Sequence, residues 1–340
     1  MPDSAPSGSV LPDVRRGALS ASDFKLNSVD LYVTSTCNRR CPYCFLSDEF
    51  LDSRSGMSLD TVRSIVDWAS AGGNVGEITL LGGEPSLHGE FVAILDVIRS
   101  AGLAARVVTN GSKKFRIALD GPEMAKKLSR VAVSLDAPTA EQFDRLRGRR
   151  AFADVMATID KLRSLSIPFD INYTVMKSTL PSVTAMLDFA EELGADRLNM
   201  HWFSAAGRAR EWAREEIIDA VEWRDQVLSR VREYRSPRSS YTVDCELGYA
   251  YGLPGEDPTA CAVRGRTNLQ FFPSGSVFSC GMLVEDDSRS AYVWSDGVLT
   301  LRQTESELWQ TERGTNCVGC PLRVQSGGFT PLCIYNRLKT

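Results

Sequence analysis

The sequence predicts an α/β fold, a partial barrel of six βα units followed by a smaller domain. Short apolar strands alternate with amphipathic helical stretches between residues 28 and 235, which is typical of a parallel sheet covered by helices. After residue 236 the composition changes to turns and short strands. With 340 residues, the chain has room for one large domain and one small one.

The strands of the predicted barrel follow from runs of apolar and β-branched residues bounded by turn signals. They span residues 28–36, 78–81, 105–109, 131–135, 169–175 and 197–203. Ser58 is a plausible N-cap for the first long helix, which Gly72 and Gly73 end. One long helix is predicted from about 211 to 235. Active sites of barrels lie at the carboxyl ends of the strands.

Three segments follow from this pattern: a leader (1–27), the barrel (28–235) and the small domain (236–340). The first residues are rich in Ser, Pro and Gly without periodicity, so we expect a flexible leader and no folded domain for recognising a leader peptide. The net charge of -4 gives no basic footprint for nucleic acid. No stretch is long and apolar enough to span a membrane or to act as a secretory signal, so we expect a cytoplasmic protein without membrane partners.

Cys37, Cys41 and Cys44 have the spacing C-x3-C-x2-C directly after the first predicted strand. Three thiolates in a tight loop hold three corners of a [4Fe-4S] cluster and leave the fourth iron without a protein ligand. A zinc site is the alternative, but it needs four ligands, and no fourth Cys or His lies nearby. Incidental or buried thiols are the third interpretation. The spacing favours the cluster.

A glycine-rich turn, GGEP, follows the second predicted strand as Gly82, Gly83, Glu84 and Pro85. The two glycines let backbone carbonyls approach an ammonium group, and Glu84 adds a negative charge. By itself the turn has a simpler reading as the end of a strand. Its position after the cysteine motif favours a ligand site.

Together with Tyr43, directly before the third cysteine, these motifs resemble the radical SAM superfamily. The resemblance implies that the open iron chelates S-adenosylmethionine (SAM), that residues 82–85 bind its methionyl amino group, and that Tyr43 lies against its adenine. It also implies the partial (β/α)6 TIM-type barrel and reductive cleavage of SAM. The resulting 5′-deoxyadenosyl radical abstracts a hydrogen atom from the substrate.

Polar residues at the fourth and fifth predicted strands are further candidate cofactor ligands. Ser134 and Asp136 lie at the end of the fourth strand, where the resemblance implies contacts to ribose, and Asn172 and Thr174 alternate on the fifth. Each has an equally good reading as a cap or structural group.

Several other polar residues have weaker cases. Asn110 and the following glycine form an Asn-Gly dipeptide, which is typical of a turn. Arg147 either reaches a substrate carboxylate or faces water. The two histidines, His88 and His201, read as structural groups. Residues 207 and 208, a Gly-Arg pair, resemble a loop beside the adenine in relatives.

The later cysteines are arranged as a pair, Cys261 and Cys280, and a C-x2-C knuckle, Cys317 and Cys320, with PSGS at 273–276 as a hairpin turn. This pattern resembles the auxiliary-cluster extensions called SPASM and twitch domains. Two clusters would need up to eight ligands and only six cysteines remain, which favours one auxiliary [4Fe-4S] cluster. A competing set uses Cys317, Cys320 and Cys333, and tetrahedral zinc is a further alternative.

Cys245 lies outside these ligand sets. It is either a small buried residue or a donor of a hydrogen atom to a substrate radical, as in some radical SAM epimerases, with Asp244 as a base. The net reaction is therefore left open between oxidation, epimerisation and C–C bond formation.

Two substrate classes fit the resemblance. A small molecule of specialised metabolism, such as a sugar, aminoglycoside or nucleoside intermediate, comes first, and a ribosomal peptide is the alternative. The electron donor is expected to be of flavodoxin or ferredoxin type. A non-catalytic iron-sulfur sensor is the alternative of another class, but a sensor has no need of GGEP with Tyr43.

Overall fold

A computed structural model describes residues 17–203, 206–212, 214–218, 222–245, 267–279, 284, 287 and 290–302. Its core is a parallel sheet in which each strand pairs with the next along the chain. The strands are β1 (Ser28–Thr34), β2 (Glu77–Gly82), β3 (Ala104–Thr109), β4 (Arg130–Ser134), β5 (Phe169–Val175), β6 (Arg197–Trp202) and β7 (Thr242–Cys245).

This sequential order is that of a barrel wound in one direction. The predicted α/β class and all six predicted strands are confirmed. Beyond β6 the sheet contains one parallel strand more than predicted, because β7 pairs with β6 through Leu198 and Val243. The parallel core therefore reaches residue 245, beyond the predicted boundary at 235.

Four shorter strands extend the sheet on the other side of β1. They are β8 (Gln270–Phe271), β9 (Ser276–Phe278), β10 (Tyr292–Ser295) and β11 (Val298–Leu301). β8 pairs in parallel with β1, and the later pairs are antiparallel. The predicted hairpin turn is confirmed between β8 and β9, where the Gly275 N–H donates to the Phe272 carbonyl at 3.0 Å.

Helices follow most strands of the core. They are α1 (Asp48–Asp52), α2 (Leu59–Ala71), α3 (Phe91–Ser100), α4 (Lys113–Ala118), α5 (Met124–Lys127), α6 (Ala140–Arg147), α7 (Ala151–Ser164) and α8 (Val183–Glu192), with 3-10 turns at Ala21–Asp23, Pro85–Leu87 and Leu180–Ser182. In α2 the predicted N-cap is confirmed, since the Ser58 side chain accepts from the Thr61 N–H.

The two faces of the sheet differ in chemistry, as β5 illustrates. Phe169, Ile171 and Tyr173 belong to the main hydrophobic core. The alternate residues, starting with Asp170 and Asn172, face the opposite side because side chains alternate along a strand. This inner face is polar, and its carboxyl-terminal end carries the candidate site.

The predicted long helix from 211 to 235 is wrong. The described residues there form α9 (Ala209–Trp212), a 3-10 turn (Arg214–Glu216), a π-helical turn (Trp223–Leu228) and α10 (Ser229–Glu233). The carbonyls of Glu216 and Ile218 accept hydrogen bonds from Lys177 N and Trp202 Nε1, at 3.0 Å each. Because these partners lie outside the segment, they compete with an unbroken helical ladder.

Residues 17–27 are packed, although the composition predicted a flexible leader through residue 27. Leu19, Phe24 and Leu26 are buried in the main core. Leu19 N donates to the Leu299 carbonyl at 2.8 Å, so this segment also covers β11. These apolar side chains provide the burial that the polar composition of the first residues did not predict. Among the described residues, no helix is both long and apolar enough to cross a membrane.

Candidate active site

The three predicted cluster ligands lie on one loop, residues 35–47, called the cluster loop below. It begins directly after β1, and Cys37, Cys41 and Cys44 are all partly buried free thiols. Burial raises the pKa of Cys37 and raises that of Cys44 to about 11. A metal that binds these groups must therefore displace their protons.

The donor set suits a cubane cluster. Cys37 Sγ accepts the Arg39 N–H at 3.4 Å and lies 3.7 Å from the Asn110 amide nitrogen, and such N–H···S contacts surround cluster thiolates. Among the described residues, no three His, Cys, Asp or Glu side chains already converge on one metal ion. A cubane does not require this, because each cysteine binds a different iron.

The cluster loop is held from several sides. Arg39 forms an ion pair of 2.8 Å with Asp154 on α7. Arg208 donates from Nε to Asp48 at 2.7 Å and from Nη1 to the Cys41 carbonyl at 3.4 Å. The segment after β6 also binds the loop backbone, since Ala209 N donates to the Cys44 carbonyl at 3.1 Å. These contacts fix the loop on the carboxyl-terminal edge of the sheet.

The glycines of GGEP lie against the end of β1. Gly83 N donates to the Thr34 carbonyl at 2.8 Å. A Cβ on Gly82 would lie 2.2 Å from the Thr34 carbonyl oxygen, and one on Gly83 would lie 2.4 Å from that of Thr36. Gly82 has φ 149°, which also excludes most other residues. Glycine is therefore needed here for close approach of β2 to β1.

Glu84 is completely buried and links β2 to β3. Oε1 accepts from Ser86 Oγ at 2.7 Å and from Thr109 Oγ1 at 2.9 Å, and Oε2 accepts from Asn110 N at 2.8 Å. Burial raises the pKa of this carboxyl, while its hydrogen bonds oppose that rise. The carboxylate is thus fixed beside the cluster loop.

Asp136 forms a buried three-way contact, and its predicted contact with ribose stays a prediction. Oδ2 accepts from the Tyr43 hydroxyl and from Arg147 Nε, both at 2.6 Å, and Oδ1 accepts from the Thr174 backbone N–H at 2.8 Å. Arg147 therefore pairs with a carboxylate of the protein itself, which is neither of the two roles that the sequence analysis left open. Burial lowers the pKa of Arg147, but the charges of Asp136, Tyr43 and Cys41 together outweigh that effect, so the pKa lies well above its usual range.

The same contacts determine the position of Tyr43. Its ring lies 5.4 Å from the guanidinium carbon of Arg147, a cation–π arrangement. Burial raises the pKa of Tyr43 well above its usual range. Its hydroxyl donates to Asp136, which fixes the ring against Arg147 on α6.

The remaining predicted ligands lie on the inner face of the sheet. Ser134 ends β4 beside Asn172 on β5, and Asn172 Oδ1 accepts from Asn199 Nδ2 at 2.8 Å. Thr174 is half-buried and lies opposite His201 on β6. The structure thus brings Ser134, Asn172 and Thr174 to one edge of the barrel, and their cofactor contacts stay a prediction.

Cys245 lies on the opposite face from these residues. It is buried in the main hydrophobic core and is paired with Met200, a member of the same core. Asp244 is on the inner face, opposite Asn199. This placement favours the structural role for Cys245 over hydrogen-atom donation.

Both ring nitrogens of His88 contact backbone groups. Nε2 lies 2.9 Å from the Met57 carbonyl, and Nδ1 accepts from Glu90 N at 3.1 Å. This is consistent with its predicted structural role. The five predicted auxiliary ligands lie outside the described residues: Cys261, Cys280, Cys317, Cys320 and Cys333.

Residues 31–190 match the family model described as "Radical SAM superfamily". The chain contains a radical SAM domain. This domain binds a [4Fe-4S] cluster and SAM, and the thiols of the cluster loop are the residues present that fit the cluster.

Two curated relatives resemble this chain over most of its length. A "PqqA peptide cyclase" from Methylobacterium sp. (strain 4-46) is 28% identical over 299 residues, covering 86% of this chain and 76% of the relative. A "Probable GTP 3′,8-cyclase" from Metallosphaera sedula is 28% identical over 285 residues, covering 81% and 87%. Both are similar to this chain, and they differ in substrate.

A solved structure shares the fold. Streptococcus suis SuiB bound to S-adenosylmethionine superposes with a TM-score of 0.64 at 16% identity, covering 93% of this chain and 74% of SuiB. At this identity the likeness concerns the radical SAM fold alone.

Two residues at the carboxyl-terminal edge of the sheet make contacts that the sequence analysis does not predict. Asn110, interpreted there as a turn residue, follows a strand of the barrel as Asp136 does and donates to Asn38. Arg147, interpreted as a substrate ligand or a solvent-facing group, pairs with Asp136. The signal for both is position, because the carboxyl ends of the strands and the segments after them converge on one edge.

Proposed function

We propose that this radical SAM enzyme modifies a peptide substrate. The similarity to PqqA peptide cyclase over 86% of the chain carries the proposal. SuiB, which shares the fold, has been solved bound to its precursor peptide SuiA. These findings support the peptide alternative better than the small metabolite that the sequence analysis put first.

The bound cluster and SAM supply a 5′-deoxyadenosyl radical, which removes a hydrogen atom from an unactivated C–H bond. The protein's own residues supply position. The Asp136 contacts hold Tyr43, the Glu84 contacts hold the end of β3, and Arg39 and Arg208 hold the cluster loop. All of these groups lie at the carboxyl-terminal edge of the sheet, so we place the substrate above that edge.

The substrate radical must then lose or gain an electron. We propose that Cys261, Cys280, Cys317 and Cys320, with Cys333 as the alternative ligand, would hold a single auxiliary cluster. That cluster would supply an acceptor for one electron, so that the net reaction would be an oxidation. The burial of Cys245 in the hydrophobic core supports oxidation over epimerisation. A flavodoxin or ferredoxin is the proposed donor for the first cluster.

A small-molecule substrate is the second candidate. The similarity to the probable GTP 3′,8-cyclase, over 81% of this chain, favours it.

The test compares both classes on one preparation. Reconstituted protein is incubated with SAM and dithionite, and with either GTP or short peptides encoded beside its gene. We expect a peptide to raise 5′-deoxyadenosine formation above the substrate-free rate and to lose two hydrogen atoms by mass spectrometry. A Cys41→Ala variant should do neither. Turnover with GTP and none with any peptide would contradict the proposal.

A further inference from the structure

Asn110 lies at the carboxyl end of β3, between Glu84 and the cluster loop. Its backbone N–H donates to Glu84 Oε2 at 2.8 Å. The next residue, Gly111, has φ 69°, and its carbonyl accepts from Thr158 Oγ1 at 2.9 Å. The backbone on both sides of the Asn110 side chain is therefore fixed, which restricts where the side chain points.

The amide nitrogen of Asn110 is used by the cluster loop. Nδ2 donates to Asn38 Oδ1 at 2.9 Å and lies 3.7 Å from Cys37 Sγ. Asn38 Oδ1 is the acceptor of this contact, so the orientation of the amide follows from its partner. Both N–H groups of the side chain thus face the cluster loop.

The amide oxygen of Asn110 has no partner among the residues that the structure describes. Asn110 is only 9% exposed, and none of those residues donates a hydrogen bond to the buried Oδ1. A buried acceptor without a donor is costly and rare in folded proteins. Its place beside a thiol of the cluster loop indicates that a ligand supplies the donor.

The chemistry of the surroundings selects the donor group. SAM offers an amino group, ribose hydroxyls and the adenine amine. Glu84, which accepts from the Asn110 backbone, puts a buried carboxylate beside the amide. A negative potential favours the most positive donor, which is the amino group of the methionyl part.

We infer that Asn110 is a SAM-binding residue, whose Oδ1 accepts a hydrogen bond from the α-amino group while Nδ2 holds the cluster loop. The inference concerns the cofactor and does not rest on the peptide substrate. It gives the Asn-Gly turn a role in binding that is separate from its role in ending β3.

The test measures SAM affinity and iron content separately. Asn110→Leu keeps the size of the side chain and removes both polar atoms. After reconstitution we expect its iron content to match the wild type and its Kd for SAM, by calorimetry, to rise about tenfold, because a buried hydrogen bond is lost. An analogue of SAM that lacks the amino group should bind both proteins equally.

Asn74→Leu is the matched control. It makes the same substitution at an asparagine outside the site, whose Nδ2 donates to the Phe24 carbonyl at 2.9 Å, so its Kd for SAM should stay within about twofold of the wild type. If Asn110→Leu does not take up iron, Asn110→Ala, which leaves room for water, carries the same comparison. Equal Kd values for wild type and variant, or equal losses for SAM and the analogue, would overturn the inference. Loss of iron in both Asn110→Leu and Asn110→Ala would also overturn the inference, and would indicate that Asn110 only holds the cluster loop.

Discussion

At the scale of single residues, Asp136 connects more parts of the site than any other side chain described above. It is fully buried and accepts from a hydroxyl, a guanidinium and a backbone N–H. A buried charge of this kind is stable only while its partners remain. The contact therefore couples the conformation of α6 to that of the cluster loop.

Arg147→Gln should expose this dependence. Removing one partner of a buried pair costs about 3–5 kcal/mol, so the free energy of unfolding in urea should fall by that order. Arg145→Gln, on the same helix, is the control, because the Arg145–Glu141 pair is largely exposed and contributes about 0–1 kcal/mol. Equal losses in the two variants would show that the buried contact is not important for stability.

The motifs at the candidate site could be predicted from sequence better than the contacts between distant residues. The cysteine motif and GGEP could be found because cysteine spacing and paired glycines are local signals. The contacts of Asp136 with Tyr43 and of Asn110 with Asn38 span 93 and 72 residues. No local pattern carries such pairings, so neither contact was predicted.

At the scale of elements, the segment after β6 and the cluster loop approach each other at Gly207. Gly207 has φ 58°, and a Cβ there would lie 2.2 Å from the Phe45 carbonyl oxygen. The segment can therefore bind the loop backbone only with glycine at this position. Alanine would push the two segments apart.

Gly207→Ala should lower iron uptake on reconstitution, measured as iron per chain, together with the melting temperature. Gly297→Ala is the matched control, because it has φ 78° and nothing lies within 4 Å of the added Cβ. Both variants suffer backbone strain of about 1 kcal/mol. Only the first adds the collision, so equal iron uptake in the two would refute a role for this approach.

The junction of β1 with β8 contains a carboxyl group, Asp30, whose pKa burial raises from 3.8 to about 6. Because the folded pKa is above the unfolded one, folding favours the protonated form. This stabilisation is complete below about pH 4 and is lost as the pH rises through 6.

Asp30→Asn should remove that pH dependence. We expect the wild type to lose on the order of 2 kcal/mol of unfolding free energy between pH 4 and pH 7 relative to this variant. Urea titrations at a series of pH values measure the difference. Asp160→Asn, at an exposed position on α7, is the control. The opposite slope, with the variant losing more, would show that Asp30 is stabilised as the ion.

The elements themselves were largely predictable from sequence. All six predicted strands formed within two residues of their expected ends, since apolar runs and turn residues are local signals. The single helix predicted from 211 to 235 does not form, because two carbonyls of this segment accept hydrogen bonds from Trp202 and Lys177, which lie outside it. Strand β7 was missed because TVDC is short and only half apolar.

At the scale of the whole molecule, the sequence predicts one auxiliary cluster in addition to the first, and its candidate ligands lie outside the described residues. A variant with Cys37, Cys41 and Cys44 all changed to Ala should retain about four irons per chain, held by the later cysteines. Iron and sulfide analysis after reconstitution measures this. A variant without iron would refute the auxiliary cluster, and the wild type is the reference.

The overall architecture was predicted as a barrel with a separate small domain, and the sheet shows why this was incomplete. β8 to β11 continue the same sheet beyond β1. The sequence cannot show that pairing, because Asp30 and Gln270 are 240 residues apart. Parallel strands are not joined by a tight turn, so no turn motif in the sequence indicates this pairing.

The pairing of β1 with β8 also has a consequence for synthesis of the chain. β1 emerges early from the ribosome, but its partner follows only after some 240 further residues. Until then one side of β1 presents unpaired backbone groups, the kind of edge on which chains aggregate. β1, which leads into the cluster loop, therefore gains its second neighbouring strand late in synthesis. Iron that binds before β8 is made would bind a loop whose strand is paired on one side only.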